Sequence, residues 1–186
     1  MKRLLLAAIA LCMLNGAFAQ GIKLGLKAGA NLSTVTDDSD AKMKFSYHAG
    51  GFLEFNFSDR VSFQPELLLS VQGAKSEGEA SVTVNTNYIN VPLLLKLKIV
   101  EGLAFEIGPQ AGILVGGTRK QNGESKSVKE FCEALDVTAL GGLSYTFADH
   151  FVIGARYGLG LTNVFKENTA IEPKNSVIQL GIGYKF

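Results

Sequence analysis

Tryptophan is absent from this chain, cysteine occurs twice and proline four times. The cysteines are Cys12, inside an N-terminal apolar segment, and Cys132 in a polar stretch. With Cys12 removed by processing, one thiol remains, which excludes a disulfide framework. Cys132 reads as an incidental loop residue rather than a nucleophile. An excess of either charge is missing too: 18 basic and 17 acidic residues leave a formal net charge of +1. That excludes the electrostatic footprint of a nucleic-acid binder, and no basic run or recognition helix is present. Beyond Gln20 there is no helical periodicity, and no apolar run reaches the roughly 18 residues of a membrane-spanning helix. What the chain does have is 47% hydrophobic and 19% charged residues over 186 positions, enough to exclude disorder and to fill one domain.

The first residues form a three-part export signal. Lys2 and Arg3 give a positive start, Leu4 to Leu14 a short apolar stretch, and Ala17-Phe18-Ala19 a small-x-small cleavage site. The pattern predicts a signal peptide over 1–19 and a mature domain over 20–186. Lipoprotein processing at Cys12 is disfavoured, because Leu11 stands where a small residue is needed.

The mature sequence alternates with period two, which in a strand sends successive side chains to opposite faces. Ile22, Leu24, Leu26, Ala28 and Ala30 share one face, with Lys23, Gly25, Lys27, Gly29 and Asn31 on the other. Seven further segments repeat this, beginning near Phe45, Val61, Ile89, Leu103, Val137, Phe151 and Ile178. In that phase Lys23, Lys27, Glu54, Glu66, Lys96, Lys98, Glu106, Arg156 and Lys185 all fall on the polar face. A soluble sandwich or lipocalin would turn the apolar face inward; a membrane barrel turns it to lipid and keeps charges in the lumen.

Three features favour the membrane barrel. Connections alternate between tight turns at 58–60, 100–102 and 148–150 and longer polar segments around 32–44, 74–86, 116–136 and 162–176, as short periplasmic turns alternate with outer loops. Aromatic residues such as Phe55, Phe57, Phe63, Phe105, Tyr145, Phe147, Phe151, Tyr184 and Phe186 gather near the short turns, like an interfacial girdle. The last strand ends with Gln179, Gly181, Tyr184 and Phe186 in a polar-x-Gly-x-x-aromatic-x-aromatic pattern, which reads as an insertion signal for barrel-assembly machinery. The predicted fold is all-β: an eight-stranded antiparallel up-and-down transmembrane β-barrel behind a cleaved signal peptide, located in the outer membrane.

Several segments carry a family resemblance. Gly25-Leu-Lys27-Ala-Gly29-Ala-Asn31-Leu-Ser33, Gln64-Pro65-Glu66-Leu67-Leu68 and Tyr88-Ile-Asn-Val-Pro92-Leu-Leu-Leu95-Lys96 resemble the first, third and fourth strands of the PorT-like outer-membrane β-barrel proteins of Bacteroidetes. Gly108-Pro109-Gln110-Ala-Gly112 and Arg156-Tyr157-Gly-Leu-Gly160-Leu161 are similar to later strands. The resemblance implies the eight-stranded membrane barrel; it implies no particular activity, and nothing here singles out the secretion role of one member.

An eight-stranded barrel has an interior that side chains fill, so no open diffusion pore is expected. The inward charges should pair, because isolated ions in the lumen are costly to desolvate. Three acids (Glu54, Glu66, Glu106) face six bases on that face, and Glu66 and Glu106 are expected within ion-pair distance of Lys96 or Arg156. Lys27, Glu54, Glu66, Lys96, Glu106 and Arg156 together form the predicted structural network. His48 is the one strand residue with catalytic potential, but no nucleophile motif accompanies it and it reads as a hydrogen-bonded lumen residue. His150, in a tight turn, reads as solvated. Asp37, Asp38 and Asp40 lack a full calcium-loop pattern. Arg119, Lys120, Glu124, Lys126, Lys129 and Glu130 mix both signs in the third long loop and name no ligand.

The expected role is a non-enzymatic barrel in envelope structure or loop-mediated binding. A transport or secretion component is the alternative, and an outer-leaflet lipid-modifying enzyme the second. No catalytic, cofactor or metal site is assigned. Expected partners are outer-membrane lipid and lipopolysaccharide, and the assembly machinery during insertion, with the barrel itself a monomer.

Overall fold

A computed structural model of the protein describes residues 21–35, 41–76, 82–121, 124–127, 135–163 and 174–186. The expected signal peptide, Cys132, the three loop aspartates, Lys129 and Glu130 lie outside these residues. Eight long strands run β1 (Ile22–Val35), β2 (Lys44–Asn56), β3 (Val61–Ser76), β4 (Val82–Val100), β5 (Leu103–Gln121), β6 (Leu135–Phe147), β7 (Phe151–Asn163) and β8 (Lys174–Lys185). Each pairs antiparallel with its neighbour in sequence, and β1 pairs with β8 to close the ring. Two short segments, Ala41–Lys42 and Glu124–Ser127, add to β3 and β5 at the end opposite the short turns. Closure leaves the barrel no free sheet edge.

The alternation sets which side of the wall each residue occupies. Leu67 is 61% exposed on the outside while its neighbour Leu68 is 1% exposed within the lumen. Outside stand Leu26, Leu95, Ile107, Leu143, Ile153 and Ile182; inside are the buried polar residues together with Phe52, Tyr88, Leu94, Leu114, Leu140 and Val177. The inner face is therefore mixed rather than purely polar. Runs such as Leu93-Leu94-Leu95 supply apolar groups to both sides of one strand. A one-residue slip in register would carry every lumen charge to the apolar side, so register is strongly specified.

The short turns gather at one end. Between β2 and β3, the Ser58 hydroxyl accepts hydrogen bonds from the Arg60 and Val61 amides at 3.3 and 3.1 Å. Between β4 and β5 the chain reverses over Glu101 and Gly102, where Gly102 has φ +79° and a Cβ would meet the Thr146 carbonyl at 2.6 Å. Between β6 and β7, Ala148 and Asp149 take left-handed φ values of 49° and 60°. Around this end Phe147 stacks on Phe151 at 5.3 Å, and Tyr184 meets both Phe151 and Phe186 edge-on at 5.3 Å. His150 is exposed, as read from its turn; it also stacks on Tyr184 at 5.5 Å, and its Nδ1 lies 2.8 Å from the Lys185 carbonyl oxygen. Pairing continues to the last residue, whose amide donates to the Leu24 carbonyl at 2.9 Å.

Strands reach into all four segments read as loops, furthest into two of them. The segments read as loops at 74–86 and 116–136 are partly strand: Ala74–Ser76 pairs with Val82–Val84, and Thr83–Asn87 pairs with residues 116–120. Arg119 and Lys120 consequently lie on β5, and Glu124 and Lys126 on the short segment hydrogen-bonded to it. Strands that project past the hydrocarbon layer are polar on both faces, so their composition matches that of a loop.

Candidate functional site

Seven of the eight strands each contribute one charged side chain to a continuous chain across the lumen. Lys27 Nζ of β1 lies 3.3 Å from Glu66 Oε2 of β3. The Arg156 guanidinium of β7 grips Glu66 with two bonds, Nη2 to Oε1 at 2.8 Å and Nη1 to Oε2 at 2.9 Å. Its Nε donates to Glu106 Oε2 of β5 at 2.6 Å. Lys96 of β4 then bridges Glu106 Oε1 at 3.2 Å and Glu54 Oε2 of β2 at 3.3 Å, and Lys185 of β8 reaches Glu54 Oε1 at 3.4 Å. Signs alternate along the whole path, and Gln64 braces it by donating to Glu66 at 2.6 Å and accepting from Lys96 at 3.0 Å.

The eighth strand contributes space. Gly142 of β6 stands in register between Glu106 and Arg156. A Cβ there would lie 2.7 Å from Arg156 Cγ and 2.4 Å from the Ala155 carbonyl. The missing side chain lets the arginine stem cross the lumen to reach two acids. Every network charge except the half-buried Lys27 is buried, and its desolvation is offset only by its partners; each carboxylate accordingly has at least two.

Toward the long-loop end the lumen is held mainly by neutral side chains, with Lys44 and Asp136 among its charged groups. His48 Nδ1 lies 2.7 Å from Asn31 Oδ1. Asn31 Nδ2 in turn faces the Tyr47 carbonyl, Ser70 Oγ and the Val71 carbonyl at 3.0–3.2 Å. Because that amide nitrogen is a donor, Asn31 Oδ1 accepts and His48 Nδ1 carries the proton. Ser33 and Ser46 donate to the carbonyls of Gly73 and Val71 at 2.8 and 2.7 Å, and Lys44 reaches Asn85 Oδ1. Asp136 of β6 accepts from Thr138 at 2.9 Å and from Asn175 at 3.1 Å.

The six residues named from the sequence thus meet in one network, and the structure adds Lys185 and Gln64 to it. Asp136 is a fourth inward acid that the count of three omitted; its parity with Thr138, two residues on, was the available signal. Asn31 shares parity with Lys27 but has no charge to draw attention. Gly142 could have been found only by setting β6 beside Arg156. Gln179 and Gly181 line the lumen, while Tyr184 and Phe186 belong to the outer aromatic cluster. Between the two lumen regions, beside Lys27, His48 and Gln179, the cavity is only about 20 Å³, room for about one water. Among the described residues no group of three His, Cys, Asp or Glu side chains converges as a metal site.

Residues 18–166 match the family described as outer membrane protein beta-barrel domain. The chain belongs to that family. It is an outer-membrane β-barrel, and the short-turn end accordingly faces the periplasm. No curated protein matches the sequence. Among solved structures it is similar in fold to Ail, the attachment invasion locus protein of Yersinia pestis, with TM-score 0.52, 19% identity, and 90% of this chain and 99% of that chain covered. It is similar likewise to Neisserial surface protein A, with TM-score 0.52, 11% identity and coverage of 89% and 97%.

Proposed function

We propose that this protein is a non-enzymatic outer-membrane barrel whose lumen is a structural plug, and whose specific role in envelope structure or binding is carried at its long-loop end. The observation that carries this reading is the unbroken ion-paired chain from Lys27 to Lys185, which fills the lumen with side chains from seven strands. The position of His48 speaks against a lipid-modifying enzyme, because it faces the lumen and is held by Asn31, away from acyl chains. Under this reading residues 1–19 are a cleaved export signal, and Gln179, Gly181, Tyr184 and Phe186 are read by barrel-assembly machinery. The monomer then rests in outer-membrane lipid and lipopolysaccharide, and the chain sits in the PorT-like branch of the family.

Planar-bilayer recording of the purified barrel, with a deletion strain assayed for envelope integrity, adhesion and secretion, tests the reading. The expected result is no steady conductance together with an envelope or adhesion defect. A steady ohmic current, or a defect confined to secretion, would favour the transport component instead.

A further inference from the structure

The periplasmic end of the lumen opens into a vestibule of about 660 Å³. Its floor is the last link of the ion chain, where Lys96 and Lys185 share the single carboxylate of Glu54. Two more lysines, Lys23 of β1 and Lys98 of β4, line the wall above that floor. Neither side chain has an ion-pair or hydrogen-bond partner among the described residues, and Lys23 stands in register opposite Glu54. Four ammonium groups therefore face Glu54 and, one step deeper, Glu106, which Lys96 shares with Arg156. The remaining acids of the vestibule, Asp59, Glu101 and Asp149, sit with Arg60 on the exposed turns at the rim; Lys98 is exposed as well, and Lys23 is half-buried.

A recess whose base carries a surplus of one sign of charge concentrates counter-ions. The four lysines here exceed what Glu54 and the shared Glu106 neutralise. Ammonium groups are compact point charges suited to phosphate rather than to planar bidentate recognition, and a phosphate brings close to two negative charges in a small volume. The volume also lies within the roughly 300–1,000 Å³ typical of small-ligand sites. We propose that the periplasmic vestibule is a binding site for a phosphate-bearing anion, held by Lys23 and Lys98 above the Lys96–Glu54–Lys185 floor. The phosphate comes either from a soluble periplasmic compound or from an inner-leaflet phospholipid headgroup at the rim.

The test is calorimetric titration of the full-length mature barrel in non-ionic detergent with inorganic diphosphate, with succinate as the carboxylate control. Saturable diphosphate binding is expected, weaker for succinate, and weakened about tenfold or more in the double variant Lys23→Gln/Lys98→Gln. These two lysines lie outside the ion chain, so the variant should keep its heat-modifiable migration, and a second pair, Lys23→Arg/Lys98→Arg, should restore binding. Repeating the titration in nanodiscs of phosphatidylcholine and of phosphatidylglycerol separates the sources. Affinity lost only in phosphatidylglycerol points to a lipid phosphate, and equal affinity points to a soluble one. Absence of saturable diphosphate binding, succinate binding as tightly, or an unchanged affinity in the glutamine variant would overturn the proposal.

Discussion

The two halves of the lumen are polar in different ways. The periplasmic half is held by charges that come from strands far apart in sequence: Arg156 reaches Glu66 across 90 residues, and Lys185 reaches Glu54 across 131. The half near the long loops is largely neutral and more local, with Lys44 and Asp136 among its charged groups. Serine and asparagine side chains of β1 and β2 donate to backbone carbonyls of β2 and β3, with separations of 16 to 40 residues. A backbone carbonyl is present whatever residue occupies the position, so the outer half tolerates substitution. A buried carboxylate has no such fallback: a lost cationic side chain is not replaced by the backbone, and the ion keeps only its second partner to offset its desolvation. The ionic half therefore ties first strand to last, and the neutral half lines the wall.

This contrast predicts a gradient of sensitivity. Arg156→Ala should have the largest effect, a loss of about 3–5 kcal/mol, because it removes the strongest partner of two buried acids at once, leaving Glu66 with Lys27 and Glu106 with Lys96. Urea unfolding from lipid vesicles measures it, and a loss below that of the outer-half variants would erase the contrast. Next comes Gly142→Val, which changes no charge but occupies the gap the arginine crosses; overpacking of this kind costs about 1–3 kcal/mol. If its effect is absent in an Arg156→Ala background, the glycine acts through the arginine. In the neutral half, Asn31→Ala removes the acceptor of His48 and the donor to Ser70, and about 1–3 kcal/mol should be lost in the same assay. Smallest is Ser46→Ala, at about 1 kcal/mol or less, because the Val71 carbonyl still accepts from Asn31.

The same contrast explains what could be read before the fold was known. Period two assigned Lys27, Glu54, Glu66, Lys96, Glu106 and Arg156 to one face, and closing the barrel brings one face together whatever the separation in sequence. Charge made these residues visible. Asn31, Ser46 and Asp136 sit where polar composition is equally natural in a loop, and their partners are backbone carbonyls or uncharged side chains that carry no distinctive sequence signature. Gly142 is legible only as an absence of side chain opposite Arg156. The extensions Val82–Asn87 and Gly116–Gln121 escaped because a strand wet on both faces loses the alternation that marks it inside the membrane.

The central claim, that the charges act as one coupled chain and not as separate contacts, is tested most directly by a double-mutant cycle on the bidentate pair, Glu66→Gln with Arg156→Met, read from unfolding in vesicles. The account predicts a coupling energy toward the upper part of the roughly 0.5–3 kcal/mol range of contacting residues, with the double variant far less destabilised than the sum of the singles. Additivity within about 0.5 kcal/mol, the behaviour of distant independent sites, would contradict it.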